Sequence, residues 1–156
     1  MKSSGQIQIK LLLDSTYLLP VIGIEVEDIE ETLLTLKRLC EEDKAEYYYT
    51  PFNIFEILGK LSRIRYDYDR VAAGLHAIEE EFKLTCQTVE GCLKALELRS
   101  RGYKDLIDLL LYTAALTRNI RFLTRDYTLI EFLRENGETI ENILQEDELL
   151  GKYSSP

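Results

Sequence analysis

Four acidic residues stand where this chain can do chemistry: Asp14 in LLLDST, Glu56 in TPFNIFEILGK, Asp108 in DLIDLLLYTAAL and Asp126 in FLTRDYT. Each falls where a strand gives way to a helix or within a helix's first turns. Delivered to one rim, they make a nest of negative charge. Two unit charges ~5 Å apart at an effective dielectric of ~20 repel by roughly 3 kcal/mol. Summed over every pair, the bare nest costs on the order of 10–20 kcal/mol before protonation relieves it. Hard divalent cations such as Mg²⁺ or Mn²⁺ relieve the same cost and bring phosphate chemistry with them. The expectation from these residues is a metal-dependent nuclease.

Other chemistries find little support. There is one histidine, His76, set among apolar and acidic helix positions in RVAAGLHAIEEEF, so paired-histidine and Ser-His-Asp mechanisms are disfavoured. His76 reads as a partly buried helical residue. Cys40, Cys86 and Cys92 form no C-x-x-C pair, which argues against a disulfide framework or structural zinc and for buried thiols. An aspartyl-phosphate site is disfavoured as well. Asp14-Ser15-Thr16 is not D-x-D, and no later strand ends in lysine.

The net charge is −9. Four metal-neutralised acids would leave −5 (−9 + 4) elsewhere, so a broad basic nucleic-acid face is not expected. Two local clusters remain as candidate phosphate contacts: Lys60, Arg63 and Arg65, and Arg118, Arg121 and Arg125. Their plain alternative is solvated helix surface. The 156 residues, 46% apolar, fit a single domain over 1–156 with flexible tails at 1–6 and 146–156. No run approaches the ~20 apolar residues of a membrane span, and MKSSGQIQIKLLLD lacks a signal-peptide core, so a cytoplasmic location is expected.

The elements that must position the acids follow from periodicity and punctuation. Residues 7–13 alternate and then end in three leucines, as a strand entering a fully covered sheet does. Asp28 and Glu31 suggest a capping box for a helix over 28–42. AEYYY at 45–49 reads as a strand. Thr50-Pro51 then starts a helix that carries Glu56.

Helices are expected over 67–82 and 89–101, joined by LTCQT, with Gly102 suited to the position after the second. The helix over 104–117 is apolar nearly all round and should be buried. Asp105 suits its cap, whereas Asp108 lies a turn deeper, where a bare charge is costly. A strand at 121–123, a helix at 127–136 closed by Gly137 and a strand at 139–144 complete the pattern. Asp126 can also be read as a simple helix cap, and Glu56 as a solvated side chain. Strands separated by helices imply an α/β fold, a central, largely parallel twisted sheet flanked by helices. Ligands in such sheets bind beyond the carboxyl ends of the strands, the rim all four acids face.

Residues 108–126, DLLLYTAALTRNIRFLTRD, place an aspartate at the head of an apolar, alanine-containing helix and then a short strand ending in Thr-x-Asp. With Asp14 followed by Ser15, and Glu56 preceded by Thr50 and Asn53, this pattern resembles the PIN-domain family. These are metal-dependent ribonucleases that include the toxins of many type II toxin–antitoxin pairs. The resemblance spans roughly residues 9–144 and implies a three-layer α/β/α domain. One or two Mg²⁺ or Mn²⁺ ions on Asp14, Glu56, Asp108 and Asp126 would drive hydrolysis of RNA, single-stranded by expectation. Ser15 and Thr124 would hold the carboxylates in place, and Asp105 is an extra acid able to join them.

The resemblance also implies a homodimer, to which the helix 29–40 or Tyr47–Tyr49 would contribute, and an antitoxin protein as partner. Pro20 and Gly23 depart from the commonest toxins, and the long helix after Asp126 with the C-terminal extension resembles archaeal stand-alone members more than compact toxins. The competing expectation, favoured by the acidic surface, is a weakly catalytic or inactive module of the same fold that acts through a protein partner.

Overall fold

The computed structural model describes residues 8–154; the expected tail at 1–6 lies outside them. Five strands form one all-parallel sheet: β1 (Ile9–Leu13), β2 (Ala45–Tyr49), β3 (Lys83–Leu84), β4 (Arg121–Thr124) and β5 (Ile143–Gln145). Their order is β3-β2-β1-β4-β5. The central place of β1 explains its three leucines, because successive side chains enter opposite layers. Leu11 and Leu13 join Tyr47, Tyr49 and Leu123 on one face. Leu12 joins Phe122 and Ile143 on the other.

Seven α-helices cover these faces: α1 (Glu30–Glu41), α2 (Pro51–Leu61), α3 (Tyr68–Glu81), α4 (Val89–Ser100), α5 (Leu106–Arg118), α6 (Tyr127–Glu135) and α7 (Glu146–Tyr153). Leu36 and Leu39 of α1, Ile57 of α2, Ile78 of α3 and Leu149 of α7 pack on the first face. Leu98 of α4, Leu111 and Ala115 of α5 and Leu129 of α6 pack on the second. The layering is thus helix, sheet, helix. In α5 every residue from Leu109 to Ala115 is buried. Two single-turn 3-10 segments, Ser15–Tyr17 and Pro20–Ile22, follow β1. The second lies close against α3, where a Cβ on Gly74 would stand 2.4 Å from the carbonyl oxygen of Val21.

Several sequence expectations are corrected. The capping box of Asp28 and Glu31 does not form: Asp28 has φ of 51°, Ile29 precedes α1, and no side chain caps that end. Lys83 and the first residue of LTCQT form an unexpected edge strand, β3, too short and exposed to show a pattern. The expected frayed tail is α7, with Glu146 and Leu149 buried. Tyr47–Tyr49 offers no dimer surface, because β2 lies inside the sheet and the Tyr47 hydroxyl donates to the Leu36 carbonyl at 2.6 Å. Cys40 and Cys86 are exposed free thiols, Cys92 is half-buried, and His76 is exposed on α3. Among the described residues no helix is long and apolar enough to cross a membrane.

Candidate functional site: an acidic cleft at the carboxyl rim of the sheet

Asp14 follows the last residue of β1, and its backbone N–H donates to Leu123 at 3.1 Å, carrying the β1–β4 pairing one step further. Its side chain is buried. One carboxylate oxygen accepts from the Thr124 hydroxyl at 2.7 Å, and that hydroxyl accepts from the Asp126 N–H at 3.0 Å. Thr124 therefore joins the ends of the two central strands.

Helix α2 is locked to the same rim by its own start. Thr50 and Asn53 form a reciprocal capping box, with Thr50 N–H donating to Asn53 Oδ1 at 2.7 Å and Asn53 N–H to Thr50 Oγ1 at 3.2 Å. The Asn53 amide donates in turn to the Leu13 carbonyl at 3.1 Å and to Ser15 Oγ at 3.0 Å. With α2 anchored to the end of β1, Glu56, three residues further on, reaches the cleft beside Asp14. Ser15 steadies the Asp14 carboxylate through its backbone N–H, while its hydroxyl accepts from the Asn53 amide.

Asp105 caps α5, accepting from the N–H groups of Ile107 at 3.0 Å and Asp108 at 3.2 Å. Asp108 is left without that job. Asp126 divides its two oxygens. Oδ1 caps α6 through Leu129 N–H at 3.1 Å, and Oδ2 accepts from the Tyr103 hydroxyl at 3.4 Å. The same hydroxyl lies nearer to Asp108, at 3.1 Å, so its single proton is shared between the two acids. The simple-cap reading of Asp126 therefore covers only half of its carboxylate.

All four expected acids, and Asp105, line one cleft of about 270 Å³. Its tightest group is Glu56, Asp105 and Asp108, each offering a carboxylate oxygen within 4.8 Å of the others. Among the described residues none of the five has an ion-pair partner; every salt bridge lies elsewhere. Arg125 lines the cleft, but its guanidinium is spent on both oxygens of Glu146 and on the carbonyls of Glu27 and Asp28. Burial, then the charges of Glu56 and Asp126, push Asp14 up to about 6 against the relief from Thr124. Burial and the charges of Asp14, Asp105 and Asp126 push Asp108 up to about 8. Hard oxygen donors with surplus negative charge are a donor set suited to a divalent cation.

One residue at this place carries no sequence signal, and a second is expected only as a phosphate contact. Tyr103 follows the Gly102 turn and belongs to no periodic face, yet it bridges two of the acids. Lys60 lies four residues beyond Glu56 on α2 and lines the same cleft.

The fold has solved counterparts at low identity. VapBC2 from Rickettsia felis, bound to a DNA fragment from its promoter, aligns with a TM-score of 0.62 at 15% identity, over 88% of this chain and 97% of that one. PAE2754 from Pyrobaculum aerophilum gives 0.59 at 14%, over 96% and 92%. VapC20 from Mycobacterium tuberculosis, a sarcin-ricin-loop-cleaving toxin, gives 0.55 at 15%, over 77% and 94%. No curated protein sequence matches the chain. The family model of the PIN domain matches residues 11–134, most of the chain, and the protein belongs to that family.

Proposed function

We propose that the protein is a divalent-metal-dependent endoribonuclease, with Asp14, Glu56, Asp108 and Asp126 holding one or two Mg²⁺ or Mn²⁺ ions. The observation that carries this reading is a cleft of five carboxylates, none of which forms an ion pair among the described residues. When bound, the ion supplies Lewis-acid stabilisation of the charge that builds on a phosphodiester and activates a water for attack.

The chain's own part is placement and proton control. Thr124 and Tyr103 fix the directions of Asp14, Asp108 and Asp126. The Thr50–Asn53 box holds Glu56 against the end of β1. Asp108 gives up a proton when a cation arrives, so metal affinity rises with pH up to about 8. Asp105 is placed to add a fifth oxygen to the set.

A toxin role in a toxin–antitoxin pair is part of the same proposal. It is supported by likeness to the Rickettsia felis complex and to a toxin–antitoxin complex from Klebsiella pneumoniae (12% identity, TM-score 0.57). The substrate, RNA, is supported by likeness to VapC20. A homodimer would have a surface to bury in the exposed stripe Val89, Leu93 and Leu96 of α4.

The test is cleavage of single-stranded RNA by purified protein with Mn²⁺. Asp14→Asn is expected to lose on the order of 1,000-fold or more in rate, about 4 kcal/mol of transition-state stabilisation, with an unchanged circular dichroism spectrum. Full activity in that variant overturns the assignment.

A further inference from the structure

In a chain carrying 28 acidic residues, residues 57–66, ILGKLSRIRY, contain none and carry Lys60, Arg63 and Arg65. The stretch begins directly after Glu56 and runs through the end of α2 into the turn before α3. Lys60 lines the acidic cleft. All three cations are exposed, and among the described residues none makes an ion pair or a side-chain hydrogen bond. The other arginine cluster is spent internally: Arg118 donates to the Cys86 carbonyl, Arg121 to Ile143, and Arg125 to Glu146, Glu27 and Asp28. Two aromatic side chains follow at once, Tyr66 at 52% exposure and Tyr68 at 75%. Both are amphipathic rings left in water.

We propose that the segment from Lys60 to Tyr68 is the track along which single-stranded RNA runs on leaving the cleft. Lys60 takes the phosphate nearest the carboxylates, Arg63 and Arg65 take the phosphates that follow, and Tyr66 and Tyr68 stack unpaired bases. The inference rests on the ribonuclease reading for its substrate, but it concerns binding outside the carboxylates. Continuity with the cleft fixes where the strand enters. The acid-free run supplies a local field of the right sign beside a site that otherwise repels a polyanion. Unpaired bases are the ligand suited to exposed rings that follow directly on a run of cations, since every base has a face to stack, although Asp67 and Asp69 flank Tyr68.

The experiment compares wild type with Lys60→Gln/Arg63→Gln/Arg65→Gln and, separately, Tyr66→Ala/Tyr68→Ala, with Lys37→Gln on α1 as a control. Binding of a short fluorescein-labelled single-stranded RNA is read by anisotropy in Ca²⁺ across a salt series, and cleavage in Mn²⁺ as kcat and KM. Removing three phosphate contacts is expected to flatten the slope of log affinity against log salt by about 2. KM should rise at least tenfold while kcat stays within about twofold, as loss of uniform binding requires. The tyrosine pair should weaken binding with no change of salt slope, and Lys37→Gln should do nothing.

Unchanged KM and slope in an active, folded triple variant overturn the track and reassign the exposed segment to a protein partner. Wild-type protein that binds RNA through this segment but never cleaves it keeps the track and removes the nuclease reading. Wild-type protein that does neither removes both.

Discussion

Arg125 and Asp126 are adjacent in sequence and live in opposite electrostatic worlds. The Arg125 guanidinium meets both oxygens of Glu146 at 2.7 and 2.8 Å, and the Tyr17 hydroxyl adds a third bond to Glu146 at 2.6 Å. Burial opposes it, yet the hydrogen bonds from Arg125 and Tyr17 hold Glu146 below its ordinary 4.5. One residue later the surplus begins. Asp126, Asp14, Glu56, Asp105 and Asp108 share a cleft in which, among the described residues, none of them forms an ion pair, and two of them are pushed well up. The same turn thus contains a finished ion pair and an unfinished one. A fold able to complete the first had the means to complete the second, so the surplus reads as a functional strain rather than a packing failure.

This contrast can be broken from either side. Truncating the clamp with Glu146→Ala leaves Arg125 and Tyr17 without their acceptor and should cost about 3–4 kcal/mol in a urea melt. The mirror experiment, Asp108→Asn in the cleft, should raise the melting temperature of metal-free protein at pH 8 and abolish Mn²⁺-dependent cleavage. A destabilised Asp108→Asn would mean that the cleft is as well balanced as the clamp.

The two regions also oppose each other in pH. Asp14 and Asp108 titrate above their ordinary 3.8 in the folded chain, so between about pH 4 and 8 the folded state holds more protons than the unfolded one. Stability of metal-free protein should therefore fall as pH rises through that window, Asp14 alone contributing about 2–3 kcal/mol. Saturating Mn²⁺ should flatten the decline. Glu146 works the other way, since its lowered value gives stability present above pH 4.5 and lost on acidification. A calorimetric series from pH 4 to 8, with and without metal, separates the two. A metal-free curve that rises throughout removes the charge surplus.

The smallest expected effect sharpens the role of Asp105. Asparagine caps a helix about as well as aspartate, so Asp105→Asn should leave stability within about 0.5 kcal/mol. Its lost charge should weaken Mn²⁺ binding roughly tenfold, about 1.4 kcal/mol, if the carboxylate joins the metal set. Unchanged affinity in isothermal titration makes Asp105 a cap and nothing more.

Much of this is legible in the sequence itself. The leucines of β1, the Thr50-Pro51 start and the all-apolar α5 announced a covered parallel sheet, because burial on both faces and helix starts leave marks in consecutive residues. The meeting of Asp14, Glu56, Asp108 and Asp126 in one cleft followed from where strands end. What escaped was set by contacts remote in sequence. Asp28 looks like a cap, but its carbonyl is held by Arg125, 97 residues away. Residues 146–153 read as a polar tail because the partners of Glu146, Arg125 and Tyr17, lie 21 and 129 residues distant. Tyr103 bridges two aspartates from a loop, where no periodicity marks a side chain's direction.

Thr124 sets a further constraint. A hydroxyl owns one proton, and the Asp126 amide already occupies a lone pair on this one, so the proton can point only toward Asp14. The arrangement is a one-way valve of polarity running from a main-chain amide to a carboxylate. Serine can take over that office. Valine, with the same outline, would leave an amide and an acid facing a methyl group, which makes shape alone an insufficient rule for what this position tolerates.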